Sequence, residues 1–216
     1  MEFLCSFRPL AASPPGRAAA RQFNLPPFID ASCRREPDLQ SRYPSISALC
    51  RKQYFAPRLR PGDRIVYITV KRAYTGPHEP HRHLVAILEV KHSFNTHRDA
   101  AAWYRGQGAA PPSNCMVFGN PPQPLDHTDR FHPALRRWDA EYRLRARKWG
   151  IFHACASLFL DLHTPPTLTD ADLKRIFGSV PATQTPPAIT EEQLNRLKTL
   201  ATSAAPESES RPADAH

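Results

Sequence analysis

Two apolar segments joined by a polar loop constrain the fold of this chain more than any other feature. Residues 65–70 read IVYITV and residues 84–90 read LVAILEV. Both are almost continuously apolar and lack the alternation of a strand that has one face in water. The turn residues Pro61, Gly62 and Asp63 precede the first segment. We therefore expect two central strands that are buried on both faces, as in a small barrel closed by helices.

The remaining segments predict an α+β fold around this pair. Further strands are expected at 3–7, 115–118 and 152–160, and helices at 97–105, 133–149, 169–178 and 190–200. A short amphipathic stretch surrounds Ile46 and Leu49, with Ser45 and Ser47 placed to cap its first N–H groups. The chain is thereby divided into a domain over 1–163, a helical C-terminal extension over 164–201 and a disordered tail over 202–216.

Charge and cysteine content limit the partners and the compartment. The net charge of +9 over 216 residues favours an anionic partner, nucleic acid first, although an arginine-rich surface without such a partner is the alternative. The five cysteines are dispersed and contain no CxxC pair, which fits a reduced cytoplasm. No run approaches the roughly 20 apolar residues of a membrane-spanning helix, and the first residues do not resemble a signal peptide. A cytoplasmic protein without a membrane partner is expected.

Two cysteines and two histidines are candidates for chemistry. Cys115 lies in a long loop, and Cys33 precedes Arg34 and Arg35, whose charges would lower a thiol pKa. His81 and His83 would share one face of a strand, as metal ligands do, but a polar hairpin tip explains them equally and no third ligand is evident. We therefore expect neither a metal nor a cofactor, and buried, unreactive thiols remain the alternative to cysteine catalysis.

The segment PALRRWDAEYRLRARKW predicts an amphipathic helix with a basic face. Arg136, Arg143 and Arg147 fall on one side of this helix, opposite an apolar stripe. Such a row could follow a phosphate backbone, or it could be an ordinary solvated face. Both interpretations stay open from the sequence.

A family resemblance connects these segments. The run PSISALCRKQYFAPRLRPGDRIVYITV, followed by HLVAILEV, resembles the core of PUA-like domains of the EVE, ASCH and YTH kind. With DASCRREPD before it and SNCMVFGNPPQPLD after it, the chain resembles the bacterial and phage nucleotide modification associated domain family over roughly residues 1–160. The resemblance implies a small twisted β-barrel flanked by helices. Relatives of this kind commonly bind a nucleobase, often a modified or flipped one, in a pocket beside the barrel.

The resemblance and the chemistry of the side chains together predict a site for a modified base in DNA. Groups that can contact a base edge form the candidate pocket: Asp30, Cys33, Arg34, Ser45, Ser47, Asn114 and Cys115. Candidate phosphate contacts are Arg35, Arg136, Arg143 and Arg147. The expected partner is DNA that carries modified bases, with a base-modification enzyme as a further partner.

Two other functions remain open. One is an enzyme acting on a nucleotide or modified base, with Cys33 or Cys115 and a carboxylate such as Asp30 or Asp126 in the chemistry. The other is a module whose basic face binds an acidic protein.

Overall fold

The apolar segments form the centre of a mixed β-sheet in the computed structural model, which describes residues 1–49, 51, 54–74, 79–123 and 133–203. The strands are β1 (Glu2–Phe7), β2 (Ser45–Ser47), β3 (Arg64–Thr69), β4 (Arg82–Phe94), β5 (Phe152–Leu160), β6 (Thr167–Leu168) and β7 (Ala188–Ile189). The helices are α1 (Pro14–Gln22), α2 (His97–Gly106), α3 (Pro133–Lys148), α4 (Asp170–Phe177) and α5 (Glu191–Ser203). The predicted α+β class is therefore confirmed.

The strands are ordered β2-β5-β4-β3-β1-β7, and the short β6 pairs with the first residues of β4. Strands β1 and β3 run parallel, whereas the other paired strands are antiparallel. The two outer strands, β2 and β7, are not joined to each other within the described part of the chain. The sheet is thus open there, and the closed barrel expected from the sequence is not seen.

Strand β3 is buried on both of its faces, as its composition predicts. Ile65 and Tyr67 point into a first hydrophobic core that also contains Phe3 and Leu88. The alternate residues of β3 and its neighbours point into a second core, which contains Leu4, Val66, Ile68, Leu84 and Ile87. Two apolar layers on opposite sides explain why the strand sequences do not alternate.

The turn before β3 is hydrogen-bonded to the neighbouring strand β4. Gly62 adopts a φ of 90°, which an L side chain rarely adopts, and its N–H donates to the carbonyl of Val90 at 2.8 Å. The Asp63 carboxylate accepts a hydrogen bond from the N–H of Arg60 at 2.8 Å. The carbonyl of Asp63 accepts from the N–H of Val90 at 2.9 Å. The Pro-Gly-Asp turn therefore fixes the beginning of β3 against Val90 of β4.

Two local predictions are wrong. The expected amphipathic stretch near Ile46 is instead strand β2, where Ser45 and Ser47 pair with β5 and are buried. Residues 115–118 form a turn-rich loop rather than a strand. In both segments, side-chain hydrogen bonds to distant parts of the chain override the local pattern.

The C-terminal extension is one of the two layers that cover the sheet. Leu173 of α4 and Leu194 and Leu197 of α5 lie in the second core with Val66 and Ile68 of β3. Helix α4 begins with a capping box between Thr169 and Asp172. Nearly all of the predicted tail lies outside the described residues. None of the described helices has the length and apolar character needed to cross a membrane.

Truncating a core residue of α5 tests whether this layer is essential. Leu194 is fully buried, so Leu194→Ala is expected to lower the free energy of unfolding by about 2–5 kcal/mol. The matched control, Leu144→Ala, changes a leucine that is 63% exposed on α3 and is expected to alter it by less than about 0.5 kcal/mol. Urea denaturation of the full chain measures both. Equal stability of the two variants would show that the extension is a separable appendage.

Candidate functional site

A buried polar cluster lies where residues 30–47 meet residues 113–115. Its members are each less than 8% exposed: Asp30, Glu36, Asp38, Ser45, Ser47, Ser113 and Asn114. Buried polar groups require hydrogen-bond partners, and these residues supply them to one another. Four of the seven predicted base-pocket residues are in this cluster.

Glu36 is the centre of the cluster. Its Oε1 accepts from the N–H of Ser47 at 2.8 Å, and its Oε2 accepts from the Ser47 hydroxyl at 2.5 Å. The Asn114 amide donates to the same Oε2 at 2.9 Å. Burial nevertheless raises the pKa of Glu36 to about 8. Glu36 lies in the acidic and basic run DASCRREPD, where no sequence pattern distinguishes it from its charged neighbours.

The other acidic side chains of the cluster organise the loops. Asp38 Oδ2 accepts from the N–H and the hydroxyl of Ser113, both at 2.7 Å. Asp30 Oδ1 accepts from the N–H of Ser32 at 2.8 Å, and Ser45 donates its hydroxyl to Asn114 Oδ1 at 2.8 Å. Four of the predicted pocket residues, Asp30, Ser45, Ser47 and Asn114, are thus brought together, but their polar atoms are bonded to other groups of the protein. Their role in holding a base stays a prediction, since a base would have to replace these bonds.

Both candidate cysteines are buried, and neither is an activated thiol. Burial raises the pKa of Cys33 to about 11, which outweighs the effect of Arg34. The neighbouring arginines do lower this pKa, as expected, but burial raises it by more, so the thiol is not activated. Burial also raises the pKa of Cys115 to about 12, and its thiol donates to the carbonyl of His97 at 3.2 Å. Asp126, the alternative catalytic carboxylate, lies outside the described residues.

Arg34 connects helix α3 to the loop that contains Ser113 and Asn120. Its Nε donates to Asp139 Oδ1 at 2.6 Å, and its Nη2 forms an ion pair with the same oxygen. Its Nη1 donates to the carbonyls of Ser113 at 3.1 Å and Asn120 at 2.9 Å. The guanidinium is fully buried. Arg34 therefore stabilises the interior and does not line an accessible pocket.

Arg35, predicted to contact phosphate, is also buried. Its Nη1 donates to the carbonyls of Asp30 at 3.0 Å and Ser32 at 2.8 Å. Contact with a phosphate backbone would require this side chain to leave its present position. The other three predicted phosphate contacts are on the surface of α3.

A cavity of about 650 Å³, the α3 groove, separates helix α3 from the loop that Arg34 holds. The loop side consists of Phe118, Gly119, Asn120, Pro121 and Pro122, and the helix side of Arg136, Asp139, Ala140 and Arg143. Phe118 is completely exposed at the edge of this groove. Sequence reasoning missed Phe118, because an isolated aromatic residue in a proline-rich loop carries no periodic signal.

A second cavity of about 370 Å³ lies on the other side of Arg143, which lines both cavities. Its walls include Asn95, Thr96, His97, Met116 and Arg147. The three predicted helix arginines, Arg136, Arg143 and Arg147, are exposed and border the two cavities in sequence order. The structure therefore brings this predicted row to one continuous surface.

His97 lines the second cavity and carries no charge near neutral pH. Its Nδ1 accepts from the N–H of Met116 at 3.1 Å. Burial lowers the pKa of His97 to about 4, so the imidazole is uncharged near neutral pH. The positive charge along this surface comes from the arginines.

The histidines of the hairpin lie at the beginning of β4. His81 Nε2 and His83 Nε2 are 3.2 Å apart. Within the described residues, no group of three or more histidine, cysteine or acidic side chains is arranged to hold a metal ion. His78 of the same hairpin lies outside those residues.

Replacing the ionisable carboxyl group of Glu36 is expected to change how stability depends on pH. A folded-state pKa near 8, above the value of about 4.3 for an unfolded glutamate, means that the native state binds the additional proton. Stability therefore falls as the pH rises between these values. Relative to Glu36→Gln, the wild-type chain is expected to lose roughly 3–4 kcal/mol of unfolding free energy between pH 5 and pH 8. Urea denaturation across this range measures the difference.

The control for this experiment is Glu141→Gln, which alters a carboxylate that is 56% exposed on α3. Its pH profile should follow that of the wild type. Parallel profiles for the wild type and Glu36→Gln would contradict a raised pKa at Glu36.

Comparison with known proteins gives no relative of this chain. No family model matches it, no curated protein matches it, and no solved structure matches it.

Proposed function

We propose that the protein binds nucleic acid along α3 and accepts one unstacked base in the α3 groove. The observation that carries this proposal is the row of exposed arginines beside a cavity with a fully exposed phenylalanine at its edge. Cationic side chains together with aromatic stacking surfaces are the combination that binds unpaired nucleotides. The net charge of +9 supports the same partner class.

The arginine row has the length of a short nucleic-acid segment. Arg136, Arg143 and Arg147 span eleven residue steps of α3, or about 16 Å at ~1.5 Å per residue. This distance corresponds to about five stacked nucleotides at ~3.4 Å each. One helix face can therefore contact several phosphates of one strand.

Arg143 is suited to phosphate because its position is partly fixed. Its Nε donates to Asp139 Oδ2 at 2.9 Å, while its side chain remains 51% exposed. Asp139 is in turn held by Arg34, so α3 presents Arg143 from a rigid support. A pre-positioned guanidinium loses less side-chain entropy when it binds a phosphate.

The α3 groove is large enough for a nucleobase. Its volume of about 650 Å³ lies within the ~300–1,000 Å³ typical of small-molecule sites. Removing a base from its stack costs a few kcal/mol, and stacking on an aromatic ring returns about 1–3 kcal/mol. Phe118 is the ring that can supply this stacking.

Recognition of a modified base in DNA is the more specific part of the proposal. It rests on the resemblance of the motif order to PUA-like and nucleotide modification associated domains, which also suggests a base-modification enzyme as a partner. The predicted pocket residues Asn114 and Cys115 belong to the same loop as Phe118. A base entering the α3 groove would therefore meet the loop that the buried polar cluster supports.

Fluorescence anisotropy with matched oligonucleotides tests base recognition. The probes contain either plain bases or one of a panel of modified bases, each measured at two salt concentrations. We expect tighter binding to one modified base, with the difference preserved at high salt, because stacking and edge contacts are not screened as phosphate contacts are. Equal and wholly salt-sensitive binding would reject base recognition, and the absence of DNA binding would reject the proposal as a whole.

Two substitutions separate stacking from phosphate contact. Phe118→Ala is expected to weaken binding about 5- to 150-fold without changing its salt dependence, since about 1–3 kcal/mol of stacking is lost. With three arginine contacts, the logarithm of affinity on duplex DNA should fall with log salt at a slope of about −2.7. Arg143→Ala is expected to change that slope to about −1.8.

The matched control is Arg196→Ala. Arg196 is also 51% exposed and pairs with a carboxylate four residues away, but it lies on α5. This variant should bind as the wild type does. If Arg143→Ala and Arg196→Ala change the salt dependence of the affinity equally, binding is due to diffuse charge attraction and not to a defined α3 interface.

A further inference from the structure

The histidine pair at the beginning of β4 has an arrangement that a hairpin tip does not require. His81 is 7% exposed and His83 is half-buried. The His83 ring packs against Phe28 and Tyr74, with ring centroids 4.7 and 4.8 Å away. Both imidazoles are therefore held in place by packing and not by solvent contacts.

Backbone carbonyls determine which nitrogen of each ring carries the proton. His81 Nδ1 lies 2.8 Å from the carbonyl oxygen of Glu79, and His83 Nδ1 lies 2.8 Å from that of Pro165. A carbonyl oxygen can only accept a hydrogen bond, so both Nδ1 atoms are donors. In the neutral rings, each Nε2 then has a lone pair and no proton.

The two Nε2 atoms face each other at 3.2 Å. Two lone pairs at this distance repel unless a cation lies between them, either a shared proton or a metal ion. A metal at ~2.0–2.1 Å from both atoms would form an N–metal–N angle of about 100–106°, close to tetrahedral. An Nδ1–H bonded to a backbone carbonyl is also the usual outer-shell arrangement of a metal-binding histidine.

We propose that His81 and His83 bind a divalent transition-metal ion of the Zn²⁺ class through their Nε2 atoms. The described residues provide two imidazoles and no third protein ligand. Water or an oxygen of a bound molecule can complete the coordination of such an ion. His81 also lines a cavity of about 430 Å³ with Lys71, Glu79 and Asp170, which gives such a molecule access.

This site is separate from the proposed nucleic-acid surface. His83 lies at the first residues of β4, whereas Asn95 and Thr96 of the second cavity follow its last residue. Because β4 has 13 residues, the two places are roughly 40 Å apart along the strand at ~3.3 Å per residue. Metal binding can therefore be tested independently of DNA binding.

Isothermal titration of the full chain with Zn²⁺, after removal of metals by a chelator, tests the proposal. The wild type is expected to bind one ion. His81→Asn and His83→Asn retain a donor near the position of Nδ1 but lack Nε2, and each should weaken binding by more than about tenfold, since losing even an outer-shell partner costs about 10–100-fold. The control His92→Asn alters an exposed histidine of the same strand and should bind as the wild type does.

Nitrogen-15 NMR of the wild type during the same titration gives a result that does not depend on variants. Zn²⁺ is expected to shift the Nε2 resonances of both histidines while both Nδ1 atoms remain protonated. The absence of one-to-one binding would overturn the proposal. So would unchanged affinity in both Asn variants, or Nε2 resonances that show a shared proton and do not respond to Zn²⁺.

Discussion

The buried ion pair between Arg34 and Asp139 is the interaction on which the proposed surface depends. One guanidinium contacts α3, Ser113 and Asn120, which lie 105, 79 and 86 residues away in sequence. Both walls of the α3 groove are thereby fixed to the same side chain. Removing one partner of such a pair costs about 3–5 kcal/mol, because the other charge is left buried without compensation. The width of the groove is consequently determined in the protein interior and not by its own surface residues.

The polar cluster around Glu36 extends this internal support. Its acidic side chains are close together, and serine and asparagine donors and main-chain N–H groups bond to each of them, although burial still raises the pKa of Glu36 and of Asp30. Such a fully connected network specifies one arrangement of its loops more strictly than apolar packing would. The loop that carries Phe118 is therefore positioned by hydrogen bonds to residues 36–47. This also explains why a proline-rich segment with little secondary structure can form a defined groove wall.

The central strands and α3 could be predicted from the sequence because their signals are local: a continuous apolar run for β3 and helical spacing for the arginines of α3. The open sheet could not, because β7 has only two residues and is defined by its partner β1. The polar cluster could not be predicted from the sequence either. Glu36 and Asn114 are 78 residues apart, and hydrogen bonds between such distant residues leave no periodic pattern in the sequence. Cys33 illustrates the same limit: its charged neighbours are visible in sequence, but its burial is not, and burial determines its pKa.

The position of β7 has a consequence for how the chain folds during synthesis. Strand β1 pairs on one side with β3, about 60 residues later, and on the other with β7, about 186 residues later. Until α5 has left the ribosome, Leu4, Val66 and Ile68 lack their covering layer and β1 retains an unpaired edge. Such an intermediate exposes both an apolar face and free backbone groups, the two features that promote aggregation. Completion of the fold is therefore a late, long-range event that requires α5 to dock on the sheet.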